Sequence, residues 1–237
     1  MSERVIEDVH ASAPWRWRAY ADSHGLGLVD AAGPTPQAAR DKVRVRHRLR
    51  WLGVEWPGMA VPDEARNPQT GQVAINGHRY ALWRQVGSDE RLVHWIMLNP
   101  SRVNAATDDP TLRRVCDYSR RWGYGWVTVG NLWSYRATKP ADLKKWSQHG
   151  GEWVVRTTAK CQRWVLSMAQ RAHLVIVAWG NHGHLDRRSA AMLQQLAQHG
   201  IEPHALALTR QREPAHLLRL AARLTPRPLT ELLEKDS

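Results

Sequence analysis

Two apolar runs constrain this chain most, because each ends abruptly at polar and turn-forming residues. The first passes through Ile96, Met97 and Leu98 into Asn99, Pro100 and Ser101; the second passes from Val175 through Ala178 into Trp179, Gly180, Asn181, His182 and Gly183. Short apolar runs bounded by turn signals read as buried strands. In an open parallel sheet, ligands bind beyond the carboxyl ends of the strands. Ser101, Asn181 and His182, with Asn99, therefore mark one sheet edge as the candidate site.

The rest of the chain from residue 79 to 237 fits that sheet. Tyr80–Trp83, Arg91–Leu98, Trp126–Asn131, 173–179 and 204–208 read as strands. Helical patterns lie between them: one with Asp109 as N-cap and Pro110 at its first position, one near 151–171, one near 184–199, and a short one at the C-terminus. Alternation of this kind predicts an α/β fold, a parallel sheet with helices on both faces. Gly180 and Gly183 are expected to let a planar ligand approach the backbone.

Residues 1–55 read as a small basic β-β-α unit. Trp15–Tyr20 and Gly25–Asp30 form its hairpin, and Thr35 caps a helix that opens at Pro36 and ends near Gly53. That helix carries Arg40, Lys42, Arg44, Arg46, Arg48 and Arg50 against the single acid Asp41. Its cations fall on more than one face, which fits phosphate contact as well as it fits a solvated surface. Residues 56–78, rich in Pro and Gly, read as a linker.

Charge sets the class of partner. With 34 Lys and Arg against 22 Asp and Glu the net charge is +12, which favours an anionic partner: DNA, or RNA in its place. The 13 Trp serve mainly as core, and a few are candidates for stacking on bases. No Gly-rich phosphate cradle follows a strand, which argues against a nucleoside-triphosphatase or dinucleotide enzyme. Cys116 and Cys161 lack metal-ligand spacing, and no apolar run is long enough to span a bilayer. The expectation is a cytoplasmic protein with free thiols, no metal and no cofactor.

Five segments carry a resemblance: Tyr80-x-Leu82-Trp83; Met97 to Ser101; Asp108-Asp109-Pro110-Thr111-Leu112-Arg113-Arg114; Asn131 to Thr138; and Trp179 to Gly183. In this order they closely resemble the bacterial and phage family of unknown function numbered sixteen-forty-three. The chain departs from that family at Pro214-Ala215-His216-Leu217-Leu218, where the family pattern has a basic residue and a second proline. The family is in turn similar to the uracil-DNA glycosylase superfamily, whose mismatch-type members carry a Gly-x-Asn-Pro motif that Leu98-Asn99-Pro100 resembles.

The resemblance implies a three-layer α/β/α fold with a short parallel sheet and a pocket for an extruded base. It implies that Asn99 positions the attacking water, Asn131 reads the base, and His216 contacts the departing base. N-glycosidic cleavage builds positive charge on the sugar and negative charge on the base, and Asp108 or Asp109 is placed to face the former. Asp109 is read first as a helix cap. Trp83, Trp133 and Tyr135 are the stacking candidates; Arg113, Arg114 and Arg136 suit phosphates. The expected activity is a DNA glycosylase-like hydrolase acting on a modified or damaged base. The alternatives are a non-catalytic nucleic-acid-binding module of the same fold, and an enzyme of free nucleotides or nucleosides.

Overall fold

In the computed structural model, which describes residues 3–7, 17–22, 28–33, 35–54, 69–101, 109–149 and 151–235, the chain divides into two compact units, Met1–Pro68 and Gln69–Ser237. In the first, strands β1 (Glu3–Glu7), β2 (Trp17–Asp22) and β3 (Leu28–Gly33) form an antiparallel sheet in the order β1-β2-β3. Helix α1 (Pro36–Trp51) packs on it. The expected hairpin and helix are present, with β1 added at the outer edge. Thr35 Oγ1 accepts from the Ala38 N–H at 3.1 Å, and Pro36 occupies the first helical turn, where its missing N–H costs nothing. Ala39, Val43, Leu49 and Leu52 make the buried stripe.

The second unit opens with β4 (Thr70–Ile75) and β5 (His78–Gln85), a hairpin joined by Asn76 and Gly77 at φ 50° and 80°. That is the backbone an Asn-Gly turn favours. Part of the stretch read as a linker is thus a strand, and its Gly77 is a hairpin residue. Next come β6 (Leu92–Met97), α2 (Pro110–Arg121), β7 (Trp126–Asn131), α3 (Pro140–His149), α4 (Gly151–Ala169) and β8 (Leu174–Val177). A 3-10 segment, Asn181–Arg187, leads into α5 (Arg188–Gln198), β9 (Pro203–Ala205), β10 (Arg227–Pro228) and α6 (Leu229–Lys235).

These strands form one sheet in the order β10-β9-β8-β6-β7-β5-β4. The central strands β9, β8, β6 and β7 are parallel, whereas β10, β5 and β4 run antiparallel to their neighbours. The sheet is therefore mixed, where the sequence pattern predicted a parallel one. The chain goes from β6 outward to β7, then crosses back over β6 to β8 and on to β9. Right-handed crossovers in opposite directions lay their helices on opposite faces. On one face the Trp95 indole N–H donates to Ser119 Oγ of α2 at 3.1 Å, and Trp122 stacks on Trp95. On the other face Gly130 packs against Val165 of α4 and the His94 ring.

The direction of winding reverses between β6 and β8. Beyond the carboxyl ends of strands at such a reversal, an open sheet leaves a crevice. Asn99 follows β6 there, Trp179 and Gly180 follow β8, and Asn131 ends β7 opposite Met97 in register.

Candidate functional site

That crevice is a cavity of about 510 Å³ on the α2 face of the sheet. It brings together the predicted residues Asn99, Ser101, Asn131, Asn181, His182 and His216. Leu82, Met97 and Val129 supply its apolar wall.

Asn99 is held by its amide nitrogen. Nδ2 donates to the carbonyl of Ala137 at 2.8 Å and to that of Pro100 at 3.1 Å. Both N–H groups are thereby spent on backbone, and among the described residues nothing donates to Oδ1. Asn131 is the converse: it is 3 % exposed, yet its carboxamide bonds to no described side chain or backbone group. Its backbone carbonyl is occupied by the Cys161 thiol at 3.2 Å. The Ser101 hydroxyl is also buried, with no partner among the described residues. Buried polar groups left open by the protein are completed by solvent or ligand.

His216 precedes the 3-10 turn Leu217–Arg219, and its Nδ1 accepts from the Leu218 N–H at 3.4 Å. A ring accepting through Nδ1 carries its proton on Nε2 when neutral. Burial lowers the His216 pKa, with Asp109 opposing that shift. Asp109 caps α2, as expected, through Oδ1 accepting from Leu112 N at 2.8 Å, and it also lines the cavity. Asp108 lies outside the described residues.

The three predicted stacking aromatics stand elsewhere. Trp83 follows Leu82 on β5, so its ring faces away from the cavity, into the core, where it is fully buried. Trp133 is buried under the Arg188 guanidinium, 5.4 Å from its ring, and meets Trp146 edge-on. Tyr135 stacks flat on Trp146 at 4.8 Å, within a cluster around His78. The aromatic residue that does line the cavity is Trp179. Gly183 serves that indole rather than a ligand: a Cβ on Gly183 would stand 2.1 Å from Trp179 Cδ1.

The predicted phosphate contacts divide similarly. Arg114 donates to the carbonyl of Leu220 and to Tyr118 Oη, tying α2 to the segment after His216. Arg136 Nε donates to the Ser101 carbonyl at 3.2 Å, bracing the loop after β6. Arg113 is exposed on α2. On α1, Arg46 and Arg48 are half-buried, with the Arg48 guanidinium 4.9 Å from the Trp51 ring. The Arg44 side chain lies outside the described residues.

Two features escaped the sequence reading, one behind the cavity wall and one in it. Glu213 accepts from the Trp179 indole and from Ser189, a carboxylate in a polar loop that its neighbours do not mark. Arg79 is 8 % exposed and lines the cavity. Desolvation lowers its pKa to about 10, aided by the charge of Arg136 and opposed by Asp109; it remains a cation at neutral pH. Among the described residues no group of His, Cys, Asp and Glu is arranged to hold a metal, and no helix is long and apolar enough to cross a membrane.

No curated protein and no solved structure matches the chain. A family model described as "Protein of unknown function (DUF1643)" matches residues 79–218. That span, more than half of the chain, runs from Arg79 to just past His216 and so includes every cavity residue named above. The chain belongs to the DUF1643 family.

Proposed function

We propose that the second unit is a DNA glycosylase-like hydrolase of the three-layer, uracil-DNA glycosylase type, acting on a modified or damaged base turned out of the helix into the cavity. The observation that carries this reading is the anchoring of Asn99. With both amide N–H groups bonded to backbone carbonyls, the side chain offers only Oδ1, an acceptor suited to orienting a water. Hydrolysis adds that water's oxygen to the sugar C1′ and breaks the C1′–N bond, whose electron pair leaves with the base; one water proton stays on the new C1′ hydroxyl and the other passes to the departing base or to solvent.

Other cavity residues fit the remaining roles. The open carboxamide of Asn131 offers a donor and an acceptor to a base edge. A neutral His216 protonated on Nε2 donates to charge developing on the leaving base. Asp109 contributes the one carboxylate among the cavity's described residues, suited to a cationic sugar. A volume of about 510 Å³ lies within the usual range for a small-molecule site. The net charge of +12 suits DNA as the partner.

The decisive assay incubates the full chain with duplex and single-stranded DNA carrying uracil, mismatches or hypermodified cytosines, and scores free base and abasic sites. Base release is the expected result. Tight DNA binding with no release on any substrate establishes the binding-module alternative, which an amide rather than a carboxylate at Asn99 also fits. Cleavage confined to free nucleosides or nucleotides establishes the third.

A further inference from the structure

Arg79 is a largely buried cation whose guanidinium opens onto the cavity with no protein acceptor among the described residues. It is 8 % exposed and lines the cavity, yet its guanidinium forms no hydrogen bond or ion pair with any described residue. A guanidinium carries five N–H donors, and burying it without partners is costly. The surroundings add to that cost: Arg136 and Arg84 repel it, and Asp109 alone attracts it. The Asp109 carboxylate is already engaged as the cap of α2.

The backbone shows that this placement is built. In the β4–β5 pairing Val73 faces Ala81 and Ala74 faces Arg79, so Tyr80 is an extra residue on β5. Tyr80 turns to the α4 face, where Lys160 sits over its ring. Leu82 faces the cavity, and simple alternation from Leu82 would put Tyr80 beside it and Arg79 on the far side. The bulge inverts that phase and aims Arg79 into the cavity, the kind of re-aiming that bulges perform beside sites.

We propose that Arg79 is the docking point for an oxyanion of the ligand, a phosphate or carboxylate gripped by the guanidinium fork. Such a group supplies the acceptors and the opposite charge that the protein withholds, in the paired geometry arginine favours. This deepens the base-excision reading and rests on it for the nucleoside part of the ligand. Within that reading the oxyanion has two sources: the nucleotide's own phosphate, or an acidic substituent on the base.

Calorimetric titration of the full chain tests this with deoxynucleoside 5′-monophosphates, the matching deoxynucleosides, and 5-carboxydeoxycytidine. If the phosphate is the source, monophosphates bind about tenfold to a hundredfold more tightly than nucleosides. If the base carries the acid, 5-carboxydeoxycytidine shows that advantage over deoxycytidine and the monophosphates do not. In either case R79Q abolishes the preference, R79K keeps part of it, and R171Q, which removes an exposed charge elsewhere, leaves it intact. Should R79Q fail to fold, the wild-type preference and its weakening in R79K carry the test. Equal or absent binding of all probes by the wild type overturns the proposal, as does a preference that R79Q or R79K retains in full, or that R171Q also loses. Absence of the preference in the wild type with excision intact sinks this assignment alone; anion preference in the wild type without base release sinks only the excision reading.

Discussion

The indole N–H of Trp179 donates to Glu213 Oε2 at 2.5 Å, while Oε1 of the same carboxylate accepts from Ser189 Oγ at 2.9 Å. One side chain thus ties the end of β8 to the first turn of α5. The Gly180 N–H, which donates to the Pro214 carbonyl at 2.8 Å, fastens the same loop a second time. Glu213 touches no cavity surface of its own; it positions the aromatic wall.

Replacing Glu213 with Ala leaves two donors without acceptors. The expected loss is about 1–3 kcal/mol, seen as a fall of several degrees in the thermal midpoint. E213Q, which keeps one acceptor oxygen, is expected to lose less. A midpoint unchanged in both variants would show that the carboxylate positions nothing.

Asn99→Ala separates chemistry from binding. If Oδ1 orients the water, excision slows by roughly two orders of magnitude or more while DNA affinity changes little, because the interaction is made in the transition state. N99D keeps an acceptor at the same place but loses the N–H bonds to Ala137 and Pro100, so partial activity is expected. Equal losses in affinity and rate would assign Asn99 to ground-state binding instead. Both quantities come from single-turnover kinetics beside equilibrium binding.

Acid lability is expected from His94. It is fully buried beside Gly130, bonded through Nδ1 to Thr128 at 2.9 Å, and burial lowers its pKa from 6.5 to about 3. The unfolded chain therefore binds a proton below pH 6.5 that the folded chain refuses until about pH 3. Stability is complete above pH 6.5 and falls by about 1.4 kcal/mol per pH unit below it from this site. Urea midpoints measured across that window should show the slope, and H94N should flatten it while lowering stability at neutral pH. A slope unchanged in H94N would assign the lability to other groups.

The basic helix makes its own prediction. If α1 contacts phosphate, replacing Arg46 and Arg48 with Glu weakens DNA binding for all sequences alike and flattens the dependence of affinity on salt. Fluorescence anisotropy over a salt series reads both effects. Affinity that ignores these reversals would return α1 to a solvated role.

What the sequence made legible follows from burial on both faces. Every residue of β6 and β7 is buried, so each reads as a mostly apolar run, broken only by His94 and Thr128, whose end is plain; with the apolar run of β8 that suffices to place Asn99, Asn131 and Trp179 at one edge. Asp109 and Thr35 were legible as caps because each precedes a proline at a helix start. The failures have equally local causes. Pro68, Gly71 and Gly77 crowd the β4 hairpin and masked a strand that pairs only along one side. Trp83 and Trp133 carry the same indole as Trp179, and only the face of the strand decides which one meets the cavity. The Glu213 bonds join residues 34 and 24 positions apart in the chain, a distance that no local pattern spans.

The extra residue at Tyr80 divides β5 into two stretches of opposite parity. Side-chain facing along a strand has only two values, so the wall at Leu82 and the cation at Arg79 answer to separate settings of one switch. Straightening the strand with all its residues kept would turn Arg79 to the far face and bring Tyr80 beside Leu82. Deleting Tyr80 would instead remove the bulge together with its extra residue, and Arg79 would still face the cavity two positions before Leu82. The same framework can therefore present its cation by a bulged strand or by a shorter regular one, and in a relative an arginine either two or three positions before this leucine would reach the cavity.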